Sequence, residues 1–138
     1  MIPIRRINHV GIRVADLKRT RAFYERLGFV FIAGPVGPEP VAIMEHPSGV
    51  NFNFILNASD DCQHNVLMDD ERKLPGYTHA ALEVENLDSV HAQLLKLGMT
   101  ISEGPVEVPG GARFLFVRDP DRNVLEFHQV AQKPDYGL

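Results

Sequence analysis

The stretch His9 to Gly28, HVGIRVADLKRTRAFYERLG, decides the fold because the chain repeats it: His79 to Gly98 reads HAALEVENLDSVHAQLLKLG. At one offset (79 − 9 = 70) His9 meets His79, Ile12 meets Leu82, Val14 meets Val84 and Asp16 meets Asn86. Leu17, Leu27 and Gly28 meet Leu87, Leu97 and Gly98 at the same offset. An ungapped match of this kind marks two copies of one supersecondary unit. Each copy has its own physical reading. Val10, Ile12 and Val14 alternate with His9, Gly11 and Arg13, the pattern of a half-buried strand over His9 to Val14. Asp16 and Asn86 have the chemistry of helix N-caps, accepting from free first-turn amides. Leu17, Thr20, Phe23, Tyr24 and Leu27 recur at helical spacing, as do Leu87, Val90, Leu94 and Leu97, and Gly28 and Gly98 suit the residue that stops a helix. Each histidine then lies on the strand face turned away from its own helix.

Working outward, the loop AGPVGPEP over 33–40 reads as irregular because of its prolines and glycines. Strands are predicted at Val41 to Glu45 and Val50 to Asn57, with Phe52, Phe54 and Leu56 on one face and Asn51, Asn53, Ile55 and Asn57 on the other. The second copy runs strand, helix, a loop from Glu103 to Gly111, a strand from Ala112 to Val117, a turn from Arg118 to Asn123 and a strand from Val124 to Val130. These later parts correspond at an offset of 73 (120 − 47 = 73): Pro47 falls on Pro120, Phe52 on Leu125, Phe54 on Phe127 and Asn53 on Glu126. The organisation is one domain over 1–138, with a first module at about 4–57, a polar, acidic linker at 58–76 and a second module at about 77–130. The tail QKPDYGL carries no packing signal.

The bulk properties exclude several classes. A net charge of −4 and a pI near 5.8 give nucleic acid no basic surface to bind. No apolar run reaches membrane-spanning length, and MIPIRRINHV lacks a signal-peptide pattern. A single cysteine, Cys62, makes no internal disulfide and has no sequence partner to activate it, so a cytoplasmic location is expected.

Four positions are equivalent in pairs, His9 with His79 and Asn53 with Glu126, all on faces opposite the apolar ones. Two imidazoles and a carboxylate converging on a cleft make a divalent-metal site with open positions for water and substrate. The plainer reading, duplicated histidines serving only as hydrogen-bonded structural residues, is weighed down by the matching carboxylate. Arg13, Asn51 and Glu83 share the ligand faces and are candidate substrate contacts or surface ion pairs. His128, two residues beyond Glu126, shares the pocket face and reads as a rim histidine at the sheet edge, the alternative being a base behind the ligands. His46, His64 and His91 read as structural or solvated, and Tyr24 as core.

The pieces Asn8-His9-Val10-Gly11, Phe23 to Phe29 (FYERLGF), Tyr77-Thr78-His79 and Phe116 to Phe127 (FVRDPDRNVLEF) resemble the vicinal oxygen chelate superfamily of glyoxalases, bleomycin-resistance proteins, epimerases and extradiol dioxygenases. The resemblance implies an α+β fold: paired βαβββ modules forming a cupped mixed sheet with helices on the outer face, often in a homodimer. It also implies a divalent metal (Fe, Mn, Ni or Zn) on His9, His79 and Glu126, with Asn53 as a possible fourth ligand or substrate contact, and a small-molecule substrate. The chain departs from each named branch. Glyoxalase I has a glutamate, and the epimerase a glutamine, where this chain has Asn53. The serine-rich loop of the fosfomycin enzymes is replaced by Val108 to Arg113, and the extradiol tyrosine by Phe116. The expected function is metal-dependent chelation of adjacent substrate oxygens, leaning to non-haem dioxygenase-type chemistry. The alternatives are a glyoxalase-like lyase, an isomerase or epimerase, or a metal-free binding protein of the bleomycin-resistance kind.

Overall fold

Asp16 begins the first helix as its sequence predicts: the backbone is extended there and the carboxylate accepts from Arg19 N–H at 2.8 Å. Asn86 does the same with Ser89 N–H at 2.9 Å. Such caps satisfy amides that have no partner within the helix. The computed structural model describes residues 1–59 and 64–132. Cys62 and the tail beyond Gln132, both weighed from sequence, lie outside the described residues.

The chain divides into two units, 1–63 and 64–138. The first unit contains β1 (Val10–Arg13), α1 (Leu17–Arg26), β2 (Val30–Val36), β3 (Val41–Glu45) and β4 (Asn51–Ile55). Its sheet has the order β1-β4-β3-β2, with β1 parallel to β4 and the remaining pairs antiparallel. The second unit contains β5 (His79–Glu83), α2 (Leu87–Lys96), β6 (Ile101–Glu107), β7 (Arg113–Arg118) and β8 (Val124–Gln129), in the order β5-β8-β7-β6. These are two βαβββ units, each with a four-stranded mixed sheet and a helix packed on one face, as the α+β reading expects.

The duplication holds residue by residue. Gly11 pairs with Asn53 in one sheet, and Ala81 with Glu126 in the other. Val36 pairs with Val41, and Val106 with Phe114, so the offset changes from 70 (106 − 36) to 73 (114 − 41) inside the hairpin turn between those strands. Different side chains fill the same frame. In the first unit Tyr24 is fully buried, its ring meeting those of Phe29, Phe52 and Phe54 at 5.6, 5.8 and 4.7 Å. The second unit uses Leu87, Leu94, Leu115, Val117 and Leu125. Aromatic contacts of this kind add to plain burial.

Two sequence expectations are corrected. The stretches 33–40 and 103–111, expected as irregular loops, are turns only at 37–40 and 108–111, while 33–36 and 103–107 supply the second half of β2 and most of β6. Both are edge strands, where a proline's missing N–H leaves no ladder bond unmade on the open side. Each contains a cis Gly-Pro bond, Gly34-Pro35 and Gly104-Pro105, at a register shift. Gly34 has φ +126°, and a Cβ there would lie 2.5 Å from the Val41 carbonyl oxygen. A glycine is what allows this close approach. Elsewhere the strand ends move by a residue or two: β1 begins at Val10, β4 spans Asn51–Ile55, and β7 runs from Arg113 to Arg118.

Residues 64–76, read as linker, carry their own ties in the second unit. Asn65 donates through Nδ2 to the Arg122 carbonyl at 3.0 Å, and its Oδ1 accepts from Leu67 and Met68 N–H. Arg118 donates to Asp69 at 2.8 Å, and this bond holds the Asp69 carboxyl below its ordinary value.

Candidate metal centre

Strands β5 and β8 lie side by side and parallel, which sets His79 and Glu126 on one face: His79 is opposite Val124, and Ala81 is opposite Glu126. The face turned away from α2 carries His79, Ala81 and Glu83 on β5, Glu126 and His128 on β8, and Phe114, Phe116 and Arg118 on β7. Glu126 is only 8% exposed, an unusual depth for a carboxylate without partners. It has two. Its Oε1 lies 3.0 Å from His79 Nε2, and its Oε2 lies 2.6 Å from His128 Nδ1.

The His79 ring is fixed from behind. Thr78 Oγ1 lies 2.8 Å from His79 Nδ1, and the ring stands edge-on to Phe116 at 5.3 Å. A hydroxyl both donates and accepts, so Thr78 lets His79 present Nε2 either as an N–H to Glu126 or as a lone pair. In the first unit Asn8 Oδ1 takes the same place, 2.8 Å from His9 Nδ1. A carbonyl oxygen only accepts, so this contact suits the Nδ1–H tautomer of His9, the one whose Nε2 can ligate a metal. Such partners behind a metal-binding imidazole orient it and raise its basicity.

The spacing of His79 and Glu126 suits an ion. Two donors each about 2.1 Å from a metal are about 3.0 Å apart on an octahedral ion and about 3.4 Å apart on a tetrahedral one, and Nε2 and Oε1, in hydrogen-bond contact here, are separated by 3.0 Å. Imidazole nitrogen with carboxylate oxygen is the donor chemistry of zinc, iron, manganese and nickel sites. Among the described residues, no group of three or more His, Cys, Asp and Glu side chains is arranged to enclose an ion. Of the three ligands expected from sequence, His79 and Glu126 stand together on this face of the second unit.

The other candidates fall as follows. Asn53 is half-buried in the centre of its sheet, between Gly11 and Ile43. Asn51 Oδ1 is buried with no hydrogen-bond partner among the described residues. Arg13 donates through Nε to Asn57 Oδ1 at 2.9 Å, and Asn57 donates to Glu39 at 2.8 Å, so Arg13 sits in a polar network. Glu83 is exposed at the end of β5. His46 packs on Phe29 and bonds Ser48, and His64 bonds Asp70, as structural readings require. Sequence reasoning passed over Asn8 and Thr78. Their signal is visible in retrospect: at the offset of 70 each histidine is preceded by a residue with a side-chain oxygen.

The duplicated frame supplies an internal comparison. Where the second unit has Phe114, Phe116, Glu126 and His128, the first has Val41, Ile43, Asn53 and Ile55 at the same ladder positions.

Two βαβββ units in one chain define a class of fold, and comparison with known proteins places the chain in it. The family model for the Glyoxalase/Bleomycin resistance protein/Dioxygenase superfamily matches residues 6–127, and the chain belongs to that superfamily. It is 32% identical over 90 residues to bovine mitochondrial methylmalonyl-CoA epimerase, a match covering 60% of this chain and 49% of that protein. It is 29% identical over 140 residues to virulence protein STM3117 of Salmonella typhimurium, covering 91% of this chain and 85% of that one. Among solved structures, a glyoxalase family protein from Enterococcus faecalis superposes with a TM-score of 0.74 at 24% identity, covering 92% of this chain and 99% of the other. No helix among the described residues is long and apolar enough to cross a membrane.

Proposed function

We propose that the chain is a metal-dependent enzyme that holds adjacent oxygens of a small substrate at a divalent ion bound by His9, His79 and Glu126. The observation that carries this reading is the 3.0 Å separation of His79 Nε2 and Glu126 Oε1 on a half-buried face. A bound ion would act as a Lewis acid there, stabilising negative charge on a substrate oxygen. The chain's own residues do the rest. Thr78 and Asn8 hold the imidazoles with Nε2 forward, and Phe114 and Phe116 give the substrate an apolar wall that limits water.

The reaction we favour is proton transfer at a carbon beside a polarised carbonyl, as in an isomerase, epimerase or lyase. Similarity to methylmalonyl-CoA epimerase supports this over the oxygenation that the two-histidine, one-carboxylate set first suggested. Asn53 is an amide and takes no proton near neutral pH, so it serves as a neutral oxygen donor or substrate contact rather than as the base. Dioxygenase-type chemistry is the second reading, favoured by that ligand set. The proposed assembly is a homodimer, checked by light scattering.

The deciding experiment is elemental analysis of protein purified without chelators, beside His79→Ala. About one equivalent of metal per chain, lost in the variant, is the expected result. Proton exchange into 2-hydroxy or 2-methyl carbonyl compounds in deuterated water, with no oxygen uptake, then supports the isomerase reading, and oxygen uptake supports the other. No metal, with an unchanged fold in the variant, would leave a metal-free binding protein and end the enzyme reading.

A further inference from the structure

We propose that His128 is a positioning residue for the metal ligand Glu126, fixing that carboxylate so that one oxygen alone is offered to the ion. The inference rests on the metal reading above. A carboxylate buried to 8% exposure needs both oxygens satisfied. His128 Nδ1–H donates to Oε2 at 2.6 Å, leaving Oε1 as the oxygen that faces His79. The histidine is itself held. Its ring lies parallel to Phe114, at 4° and 6.2 Å between centroids, and its carbonyl accepts from Val84 N–H at 2.8 Å. Because Nδ1 is turned to the oxygen away from His79, His128 acts through Glu126 rather than as a ligand.

The first unit provides an independent argument. At the positions of Glu126 and His128 it carries Asn53 and Ile55, in the same strand pairing. The frame therefore folds without this histidine, and the histidine is present where the carboxylate is. A folding role would predict a histidine in both copies. A role tied to the carboxylate predicts the arrangement seen.

The test is manganese(II) titration of the full-length, chelator-stripped chain, read by loss of the free-ion electron paramagnetic resonance signal. His128→Phe keeps a ring on Phe114 but has no donor, and His128→Ile installs the residue the first unit tolerates. Both should bind manganese about 10–100-fold more weakly than the original chain, the usual range for a partner behind a ligand. His128→Asn places an amide N–H near the position of Nδ1 and should recover affinity to within a few-fold. Unchanged affinity in the Phe and Ile variants overturns the proposal, and so does failure of Asn to recover what they lose. Affinity lost in Glu126→Gln but kept in His128→Phe overturns this role while leaving the metal reading intact. No binding by the original chain overturns both.

Discussion

Replacing Gly34 with alanine tests why a proline- and glycine-rich stretch can be a strand. The added Cβ would sit 2.5 Å from the Val41 carbonyl oxygen and 2.7 Å from Ala42 Cα, with φ at +126°. Both neighbours are backbone atoms of the paired strand β3, so no side-chain rotation relieves the contact. A non-glycine residue at positive φ costs about 1–2 kcal/mol, and overpacking against atoms that cannot yield adds about 1–3 kcal/mol. The expected loss is therefore about 2–5 kcal/mol, or roughly 5–15 °C in Tm for a chain of this size. Gly98→Ala is the control: φ is +76°, but nothing lies within 4 Å of its Cβ, so only the smaller conformational cost applies. Gly104→Ala should behave like Gly34→Ala, since its Cβ would meet Phe114 O at 2.8 Å. Urea unfolding measures the differences, and hydrogen exchange locates them in β2 and β3. Equal losses for Gly34→Ala and Gly98→Ala would refute the close-approach argument.

Three further outcomes are expected. Asp119 is buried and accepts from the N–H groups of Asp121 and Asn123 at 2.9 Å and from Asn123 Nδ2 at 3.0 Å, so Asp119→Ala should cost about 3 kcal/mol in urea unfolding. A loss under 1 kcal/mol would show that those bonds do not hold the turn. The Asp69 carboxyl is lowered from 3.8 by its bond to Arg118, so its stabilising contribution is complete above that pH and fades as pH falls through the lowered value. Asp69→Asn should thus melt earlier than the original chain at pH 7, with the two converging in acid; a gap that persists below pH 2 would contradict the assignment. Thr78→Val removes the partner of His79 Nδ1 and should weaken manganese binding about 10-fold, with Thr78→Ser restoring it; equal affinities would exclude a role for the hydroxyl.

Local chemistry was legible in the sequence wherever it acts over a few residues. The caps Asp16 and Asn86, the helical stripes and the pairing of Asn53 with Glu126 all follow from spacing. What misled was composition. Gly-Pro pairs argue for loops in isolation, yet at a sheet edge they are compatible with pairing, a circumstance only the strand order reveals. The correcting signal was present, since Gly34-Pro35-Val36 repeats as Gly104-Pro105-Val106 at the offset already found (104 − 34 = 70). His128 was legible as a face residue, but its bond to Glu126 depends on rotamers, which no periodicity encodes.

The hairpin between β6 and β7 holds three residues more than its counterpart between β2 and β3, and the strand pairing resumes in the same phase on either side. The molecule thus contains its own insertion experiment, with the shorter turn as the parent. Protein engineers look for such permissive joints, because added chain there leaves the flanking ladder undisturbed. Gly110 and Gly111, in that turn, mark the place to graft a reporter peptide or tether outside β6 and β7.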